Sequence, residues 1–251
     1  MGRKSKLPGL RVKDGYLRHP FDIEYQVETS GLVHGRNLKT GHPNDRHNTA
    51  YYGVAPSVFL GLRDLWWSLP RPAPLAQYTF LDFGAGMGRA TLLAATMPFR
   101  QVIAIELHPA LADMARKNCA LWQTQGRAKS PIRVVCADAT DFVFPETPCL
   151  AFLFNPFRAP VLRALLKSIE RSFRDCPGHF DLLYANHEME AVFHNRPGWQ
   201  RLWTGNIPLS PQDEQADRQI LNHQPDGEYA SSTEEPCSIY RWLGHDRAAS
   251  P

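Results

Sequence analysis

Three alternate glycines follow a short apolar run and form the most informative motif of the sequence. The segment from Thr79 to Arg89 reads TFLDFGAGMGR, so Gly84, Gly86 and Gly88 come directly after a predicted strand and before a predicted helix. Because glycine has no Cβ, backbone N–H groups and the start of the helix can approach a ligand closely. The segment therefore predicts a ligand-binding turn.

The glycine spacing discriminates between the ligands that such turns bind. A dinucleotide site has a third glycine three residues after the second, where this sequence has Arg89. A phosphate-binding P-loop has Gly-Lys-Ser or Gly-Lys-Thr, which this segment lacks. The carboxylate of Asp82, just before the glycines, suits a ligand with a positive centre better than one with two phosphates. S-adenosylmethionine, with its sulfonium and ammonium groups, has that charge pattern.

Acidic residues after the next two predicted strands extend this prediction to a whole nucleoside. Glu106 follows the first glycine by about 20 residues, the spacing at which a carboxylate accepts hydrogen bonds from ribose hydroxyls. Asp138 and Ala139 follow the third strand, where a carboxylate and a backbone N–H can meet the edge of adenine. Each element also has a purely structural reading: a tight turn, an acid at a helix start and a cap. Their order and spacing together favour the cofactor.

A further motif, Asn155-Pro156-Phe157, ends the fourth predicted strand. In doubly wound folds, groups at this edge of the sheet face the ligand crevice, so we predict that these three residues are catalytic. The alternative is a strand-ending turn with Phe157 in the core.

The elements that must position these residues follow from the hydrophobic pattern. Short apolar runs alternate with helical patterns, which predicts an α/β fold with a Rossmann-like, doubly wound, mostly parallel sheet. Strands are predicted at Tyr78–Phe83, Val102–Glu106, Ile132–Cys136, Leu150–Phe154 and Phe180–Ala185, and helical spacing begins at Pro56, Leu111 and Val161. Residues 200–204 and 238–243 are predicted to form an antiparallel edge pair, since no strong helical pattern lies between them.

Two segments fall outside this alternation. Residues 1–49 show no sustained period and are predicted to form an irregular arm or cap on a single domain of residues 50–251. The stretch 206–236 is polar and long for a hairpin, so it is either a functional lid or an ordinary surface insertion.

Composition restricts the remaining possibilities. With 251 residues, 43% of them hydrophobic, the chain can bury the core of one such domain. The 28 basic and 25 acidic residues nearly balance, so nucleic acid is not expected as a partner. The basic stretch from Arg3 to Arg18 fits a solvated tail better than a binding arm. The five cysteines form no C-x-x-C pair, so no metal site is expected. No apolar run is long enough to cross a membrane, and we expect a soluble, cytoplasmic protein.

The motif Asp82-Phe83-Gly84-Ala85-Gly86-Met87-Gly88 with Glu106 downstream resembles the class I S-adenosylmethionine-dependent methyltransferases. This resemblance implies a seven-stranded sheet with an antiparallel last strand. The variant Gly86-Met87-Gly88-Arg89, with Ile105-Glu106-Leu107 and Asn118, is more similar to a branch of uncharacterised bacterial members and non-SET protein lysine methyltransferases. Segments like 21–31 and 51–54 in that branch imply that the arm folds back over the cofactor, with Thr29, Tyr51 and Tyr52 near its methionine end.

Together these motifs predict the site. The predicted cofactor-binding residues are Asp82, Gly84, Ala85, Gly86, Gly88, Glu106, Leu107, Asp138, Ala139 and Asn155, with Thr29 and Tyr52 from the arm. The fourth motif resembles the Asn-Pro-Pro-aromatic motif of enzymes that methylate planar amino groups, although the second proline is absent here. Predicted walls of the acceptor site are Tyr51, Tyr52, Phe157 and Tyr184, and Asn186, His187 and Glu188 are further candidates.

Three functions are consistent with these residues. The leading hypothesis is methylation of a nitrogen on a protein or small molecule. The alternatives are O- or C-methylation of a small metabolite and binding of S-adenosylmethionine without catalysis.

Overall fold

The computed structural model describes residues 17–222 and 230–244. The strands, numbered along the chain, are β1 (Leu32–Val33), β2 (Tyr51–Tyr52), β3 (Thr79–Phe83), β4 (Gln101–Glu106), β5 (Ile132–Cys136), β6 (Cys149–Phe154), β7 (Phe180–Ala185), β8 (Trp199–Pro208) and β9 (Glu234–Trp242). The helices are α1 (Pro20–Tyr25), α2 (Pro56–Ser68), α3 (Arg89–Ala94), α4 (Pro109–Thr124), α5 (Ala159–Ser172) and α6 (Pro211–Asn222).

Seven of these strands form one sheet in the order β5-β4-β3-β6-β7-β9-β8. The pairs from β5 to β7 are parallel, and β9, the last strand along the chain, is antiparallel to both of its neighbours. The predicted Rossmann-like, mostly parallel sheet with an antiparallel last strand is therefore confirmed. The order reverses between β3 and β6, which opens a crevice at the carboxyl ends of these strands.

Both faces of the sheet are covered by helices. Along β3, Phe80 contacts Phe59 of α2 and shares a core cluster with Trp122 of α4, whereas Leu81 and Leu165 of α5 belong to a second core cluster on the opposite face. Successive side chains of a strand point to opposite faces, so a strand covered on both sides must be apolar throughout. This explains why the central strands are almost continuous apolar runs.

The predicted antiparallel edge pair is confirmed as β8–β9. The stretch between the two strands differs from the prediction. The strands extend to Pro208 and from Glu234, so the connection is shorter than residues 206–236. It also contains α6, a helix that the sequence pattern did not indicate. The buried face of α6 includes two aspartates, Asp213 and Asp217, which obscure its hydrophobic period.

The N-terminal segment packs against the domain instead of extending from it. We call residues 17–53 the arm. The arm contains the short helix α1 and the antiparallel pair β1–β2, in which Val33 is opposite Tyr51. Most of the remainder is turn or irregular backbone. The predicted arm ends at residue 49, but β2, which pairs with β1 of the arm, lies beyond that boundary. The arm therefore continues directly into the domain.

Most of the predicted basic tail, residues 1–16, lies outside the described residues. Arg18 is described, and its guanidinium donates to the backbone carbonyls of Asp22 and Val27 at 2.9 Å. No helix within the described ranges is long and apolar enough to cross a membrane. All five cysteines are free thiols, and Cys119, Cys149 and Cys237 are buried.

Candidate active site

The glycine loop requires glycine where two other segments touch it. Gly84 and Gly86 have φ angles of 70° and 55°, in the left-handed region. A Cβ on Gly84 would lie 2.2 Å from Cβ of Pro156, and a Cβ on Gly86 would lie 2.1 Å from the ring of Tyr51. Gly88 instead faces Ala115 of α4, where an added Cβ would have 3.4 Å of space. Gly84 thus leaves room for the fourth motif, Gly86 leaves room for the arm, and Gly88 leaves room for α4.

Glu106 fastens this loop to the end of β4. Its two carboxylate oxygens accept hydrogen bonds from the backbone N–H groups of Gly86 and His108, both at 2.8 Å. The side chain is buried, and burial raises the pKa of this carboxyl. Each oxygen keeps a further lone pair, so Glu106 can still accept hydrogen bonds from ligand hydroxyls.

Asp82 lies beneath the loop and is also buried. Its carboxylate accepts a hydrogen bond of 2.6 Å from the Thr91 hydroxyl. Burial raises the pKa of Asp82 to about 7, because the charged form loses its hydration. A positively charged ligand group nearby would favour the ionised carboxylate.

Asp138 already accepts several hydrogen bonds from the protein, in addition to those that its predicted contact with adenine requires. Its carboxylate accepts from the backbone N–H and the hydroxyl of Thr140 and from the side-chain amide of Asn44 in the arm, each at 2.6 Å. Nδ1 of His42 lies 3.3 Å from the same carboxylate. Burial raises the pKa of Asp138, but these hydrogen bonds outweigh it and hold the pKa below its ordinary value. Asn44 therefore uses part of the hydrogen-bonding capacity that was predicted for adenine.

These groups surround a cleft that we call the glycine-loop cleft. Its lining includes the predicted residues Tyr52, Asp82, Gly84, Ala85, Glu106, Leu107, Asp138, Ala139, Pro156 and Phe157, together with Tyr51. The lining also includes Asn44, Asn48, Thr49, Arg89 and His108, which sequence analysis did not assign to the site. Four predicted residues, Thr29, Gly86, Gly88 and Asn155, are placed around this cleft and not in its lining. The structure thus brings most of the predicted set together.

A buried ion pair holds the arm over the glycine loop. Arg89 follows the third glycine, and its guanidinium donates to the backbone carbonyls of Thr29 and Gly53 and to the hydroxyls of Thr29 and Ser30. Asp22 lies 3.8 Å from Arg89 and accepts hydrogen bonds from the backbone N–H and hydroxyl of both Thr29 and Ser30. Thr29 is therefore a structural contact between the arm and α3.

Asn118 adds a second attachment of the arm. Its side-chain amide donates to the carbonyls of Glu28 and Met87 at 2.8 and 2.9 Å and accepts from the N–H of Glu28 at 2.9 Å. One side chain of α4 thus joins the arm to the glycine loop. No local signal in the sequence indicates such long-range contacts.

The arm also pairs with the fourth motif. Thr49 donates its hydroxyl to the carbonyl of Asn155 at 2.5 Å and its N–H to the carbonyl of Pro156 at 3.3 Å, and Asn48 forms a β-bridge with Phe157. Each of the two backbone carbonyls that could hold a substrate amino group therefore already accepts one hydrogen bond from Thr49. The side-chain oxygen Oδ1 of Asn155 is buried and has no hydrogen-bond partner among the residues that the structure describes.

Asn155 faces a second cleft, which we call the Asn155 cleft. Residues that line it include Asn155, Asn186, Glu188, Asp217 and Glu235. The two clefts adjoin, since Asn48, Thr49, Ala50, Tyr52 and Phe154 line both. The dividing wall is therefore largely the segment of the arm around β2.

The candidates after β7 separate into two groups. Asn186 and Glu188 line the Asn155 cleft. His187 is turned to β9, where its Nδ1 lies 2.5 Å from the hydroxyl of Ser238. Tyr184 is fully buried in the core, and its hydroxyl accepts from the N–H of Met189. Among the predicted aromatic walls, Tyr51, Tyr52 and Phe157 thus lie at the clefts and Tyr184 does not.

Comparison with known proteins finds one family match. Residues 80–176 match the family model of a methyltransferase domain. This match covers less than half of the chain, but it runs from β3 past α5 and contains the glycine loop, Glu106 and Asn155. It supports the prediction of a class I methyltransferase that uses S-adenosylmethionine as its methyl donor.

Solved structures with a similar fold are more distant. TrmN from Thermus thermophilus is 20% identical, with a TM-score of 0.47 over 76% of this chain and 49% of that protein. The ribosomal protein L11 methylase from Lactobacillus delbrueckii subsp. bulgaricus is 14% identical, with a TM-score of 0.45 over 75% of this chain and 77% of that protein. This chain therefore spans about half the length of TrmN. No curated protein matches its sequence.

The contact between Gly86 and Tyr51 gives a test of the glycine-loop cleft. We expect Gly86→Ala to weaken binding of S-adenosylmethionine about 10-fold or more, because the new Cβ would displace Tyr51 and a left-handed alanine costs about 1–2 kcal/mol. Calorimetric titration measures the affinity. Gly126→Ala is the matched control, since Gly126 has a φ of 68° and a Cβ at that position would have no atom within 4 Å. Equal affinities of the two variants would show that the loop is not part of the cofactor site.

Proposed function

We propose that this enzyme methylates a nitrogen atom that Asn155 holds by a hydrogen bond. The observation that carries the proposal is the buried, unpartnered Oδ1 of Asn155. A buried polar atom without a partner costs free energy, so native structures rarely retain one that has no role. An amide oxygen accepts hydrogen bonds, and the substrate group it suits is therefore an N–H or O–H donor.

The backbone at Asn155 supports this role. Its φ angle is 41°, a left-handed conformation that asparagine adopts more readily than other residues with a side chain. This conformation bends the chain sharply at the end of β6. Here the neighbouring contacts of Thr49 hold the turn, and the turn directs the Asn155 side chain to the cleft.

We further propose which residues hold S-adenosylmethionine, a donor whose methyl group is bonded to a positively charged sulfur. The glycine loop and Asp82 suit its methionine part, and Glu106 suits the ribose hydroxyls. Leu107, Asp138 and Ala139 would then lie beside the adenine, with Asn44 sharing the hydrogen bonds of Asp138. The arm, fixed by Arg89, closes over this cleft.

The reaction requires positioning more than acid–base catalysis. Methyl transfer is an in-line displacement that disperses charge, so alignment of the two reactants and exclusion of water lower its barrier. Tyr52 lines both clefts, which supports a role for its ring between donor and acceptor. Its hydroxyl donates to Asp217 at 2.6 Å, and burial beside that carboxylate raises the pKa of Tyr52. The phenol therefore remains neutral at the wall between the clefts.

One surface feature widens the set of acceptors that must be tested. Four exposed basic residues follow one another at helical spacing along α5 and the turn after it: Arg163, Lys167, Arg171 and Arg174. Within the described ranges none of the four forms an ion pair with a carboxylate, and a basic stripe of this kind suits a phosphate backbone. RNA therefore belongs among the candidate acceptors, alongside proteins and small amines.

The test is transfer of a labelled methyl group to these three classes and to small alcohols. We expect label in a nitrogen-containing acceptor, in a product that withstands mild alkali, because an N-methyl bond does not hydrolyse under conditions that cleave methyl esters. Mass spectrometry of the product then locates the methylated atom. Transfer only to oxygen or carbon would contradict the proposal, and the absence of transfer to any class despite tight cofactor binding would favour a binding protein.

A further inference from the structure

One wall of the Asn155 cleft is built from carboxylates on three different elements. Asp217 comes from α6, Glu235 from the start of β9, and Glu188 from the turn after β7. Asp217 is buried, Glu235 is half-buried and Glu188 is exposed, so the negative charge extends from the interior of the cleft to its edge.

These carboxylates influence one another. Burial and the nearby charges of Asp217 and Glu188 raise the pKa of Glu235 to about 7. Within residues 17–222 and 230–244, neither Glu188 nor Glu235 forms an ion pair with lysine or arginine. Like charges close together in a partly dehydrated cleft repel, and a cation between them would relieve the repulsion.

A second, independent feature of the same cleft points to a nitrogen ligand. Asn155 lines the cleft and is 7% exposed, and its Oδ1 is buried without a partner among the described residues. A group that satisfies both features donates N–H hydrogen bonds and carries positive charge. A protonated aliphatic amine has both properties.

The cleft also contains arginines, and their position matters. Arg36 and Arg158 line it from the arm and from the residue before α5, and both side chains are exposed. Positive charge thus lies at the outer rim, whereas Asp217 and Glu235 lie deeper. The deeper part of the cleft therefore selects a cation.

We propose that Asp217, Glu235 and Glu188 determine acceptor specificity by binding an alkylammonium group, as in a lysine side chain or a small diamine. This inference rests on the N-methylation proposed above. The carboxylates bind the ammonium in the cleft, and one of them then accepts a proton from it. Asn155 accepts an N–H hydrogen bond from the resulting neutral amine, whose lone pair forms the new N–CH₃ bond as the bond from the methyl group to the donor sulfur breaks. Neutral acceptors of the same shape leave the carboxylates unneutralised and bind more weakly.

Binding measurements test this without turnover. The protein, saturated with S-adenosylhomocysteine, is titrated with a lysine peptide and with 1,5-diaminopentane, and then with a norleucine peptide and 1-pentanol as neutral counterparts. We expect at least one cationic probe to bind about 10-fold more tightly than its neutral counterpart, with an affinity that falls as salt increases. Binding of the peptide alone indicates a protein acceptor, and binding of the diamine alone a small molecule.

Substitutions of the glutamates test whether the preference for cationic probes arises in the Asn155 cleft. Glu235→Gln and Glu188→Gln, separately, should each weaken the cationic probe several-fold and leave the neutral probe unchanged. Glu234→Gln is the matched control, because Glu234 is exposed and adjacent side chains of a strand point to opposite faces. Since Glu188 is exposed, its variant should fold even if Glu235→Gln does not.

The possible failures are distinguishable. If cationic and neutral probes bind equally, or if neither glutamate variant changes the affinity, the specificity proposal is wrong while N-methylation can still hold. If S-adenosylhomocysteine itself does not bind, the fault lies with the assigned cofactor site. If binding is intact but the labelled product is methylated on oxygen or carbon, the proposed function fails first.

Discussion

Asn155→Gly is expected to reduce the rate of methyl transfer about 100-fold or more while the affinity for S-adenosylmethionine stays within about threefold of the wild type. The substitution removes the unpartnered Oδ1 but allows the left-handed backbone at this turn. An acceptor without its hydrogen bond is held less precisely, and misplacement by about 1 Å can cost about 100-fold in rate. Single-turnover kinetics and calorimetric titration separate the two effects.

Gln26→Gly controls for the backbone change. Gln26 is another residue with a positive φ, 60°, but it is exposed at the end of α1 and lines neither cleft. The Gln26→Gly substitution should make a similar change to the backbone without any loss in the rate of methyl transfer. Full activity of Asn155→Gly would remove Asn155 from the reaction, and a parallel loss of cofactor affinity would assign it to the donor site instead.

Asp22→Asn is expected to lower the free energy of unfolding by about 3–5 kcal/mol, the largest stability effect that we expect from the structure. Asp22 is fully buried, accepts four hydrogen bonds from Thr29 and Ser30, and lies 3.8 Å from the buried guanidinium of Arg89. Loss of its charge leaves the buried guanidinium of Arg89 without a carboxylate within 4 Å among the described residues. The amide also presents donors to groups that already donate.

Urea denaturation followed by circular dichroism measures this change. Asp64→Asn is the control, since Asp64 pairs with Arg63 at 2.6 Å on the surface and such pairs contribute less than about 1 kcal/mol. Cofactor affinity should fall together with stability in Asp22→Asn, because the arm that covers the glycine-loop cleft is released. A stability change as small as that of the control would show that the ion pair does not hold the arm.

Several features could be predicted because they depend on neighbouring residues in the chain. The central strands are apolar on both faces, so their positions are visible as short apolar runs. The glycine loop requires left-handed backbone at Gly84 and Gly86, and glycine is the residue that adopts it without strain. Glu106 lies at a strand end one β-α-β unit further on, a spacing set by the length of the unit.

Helices α1 and α6 could not be predicted in this way. Their buried faces carry aspartates: Asp22 in α1, and Asp213 and Asp217 in α6. Each is buried because a distant group bonds to it, as the N–H of Ser57 does to Asp213 and the hydroxyl of Tyr52 does to Asp217. A hydrophobic period cannot register a face that is stabilised by such polar contacts.

The sheet, the resemblance to the family and the predicted cofactor follow from the amino-acid sequence alone, because they depend on local periodicity and on a short motif. Which polar atoms remain available to bind a substrate depends instead on how the chain folds. Thr49, 106 residues before Asn155 along the chain, donates to the backbone carbonyl at the fourth motif, whereas the Asn155 amide oxygen has no partner among the described residues. Likewise the carboxylates of Asp217 and Glu235 become one wall only when α6 and β9 pack beside the arm. Hydrogen-bond satisfaction and charge proximity are properties of the folded chain.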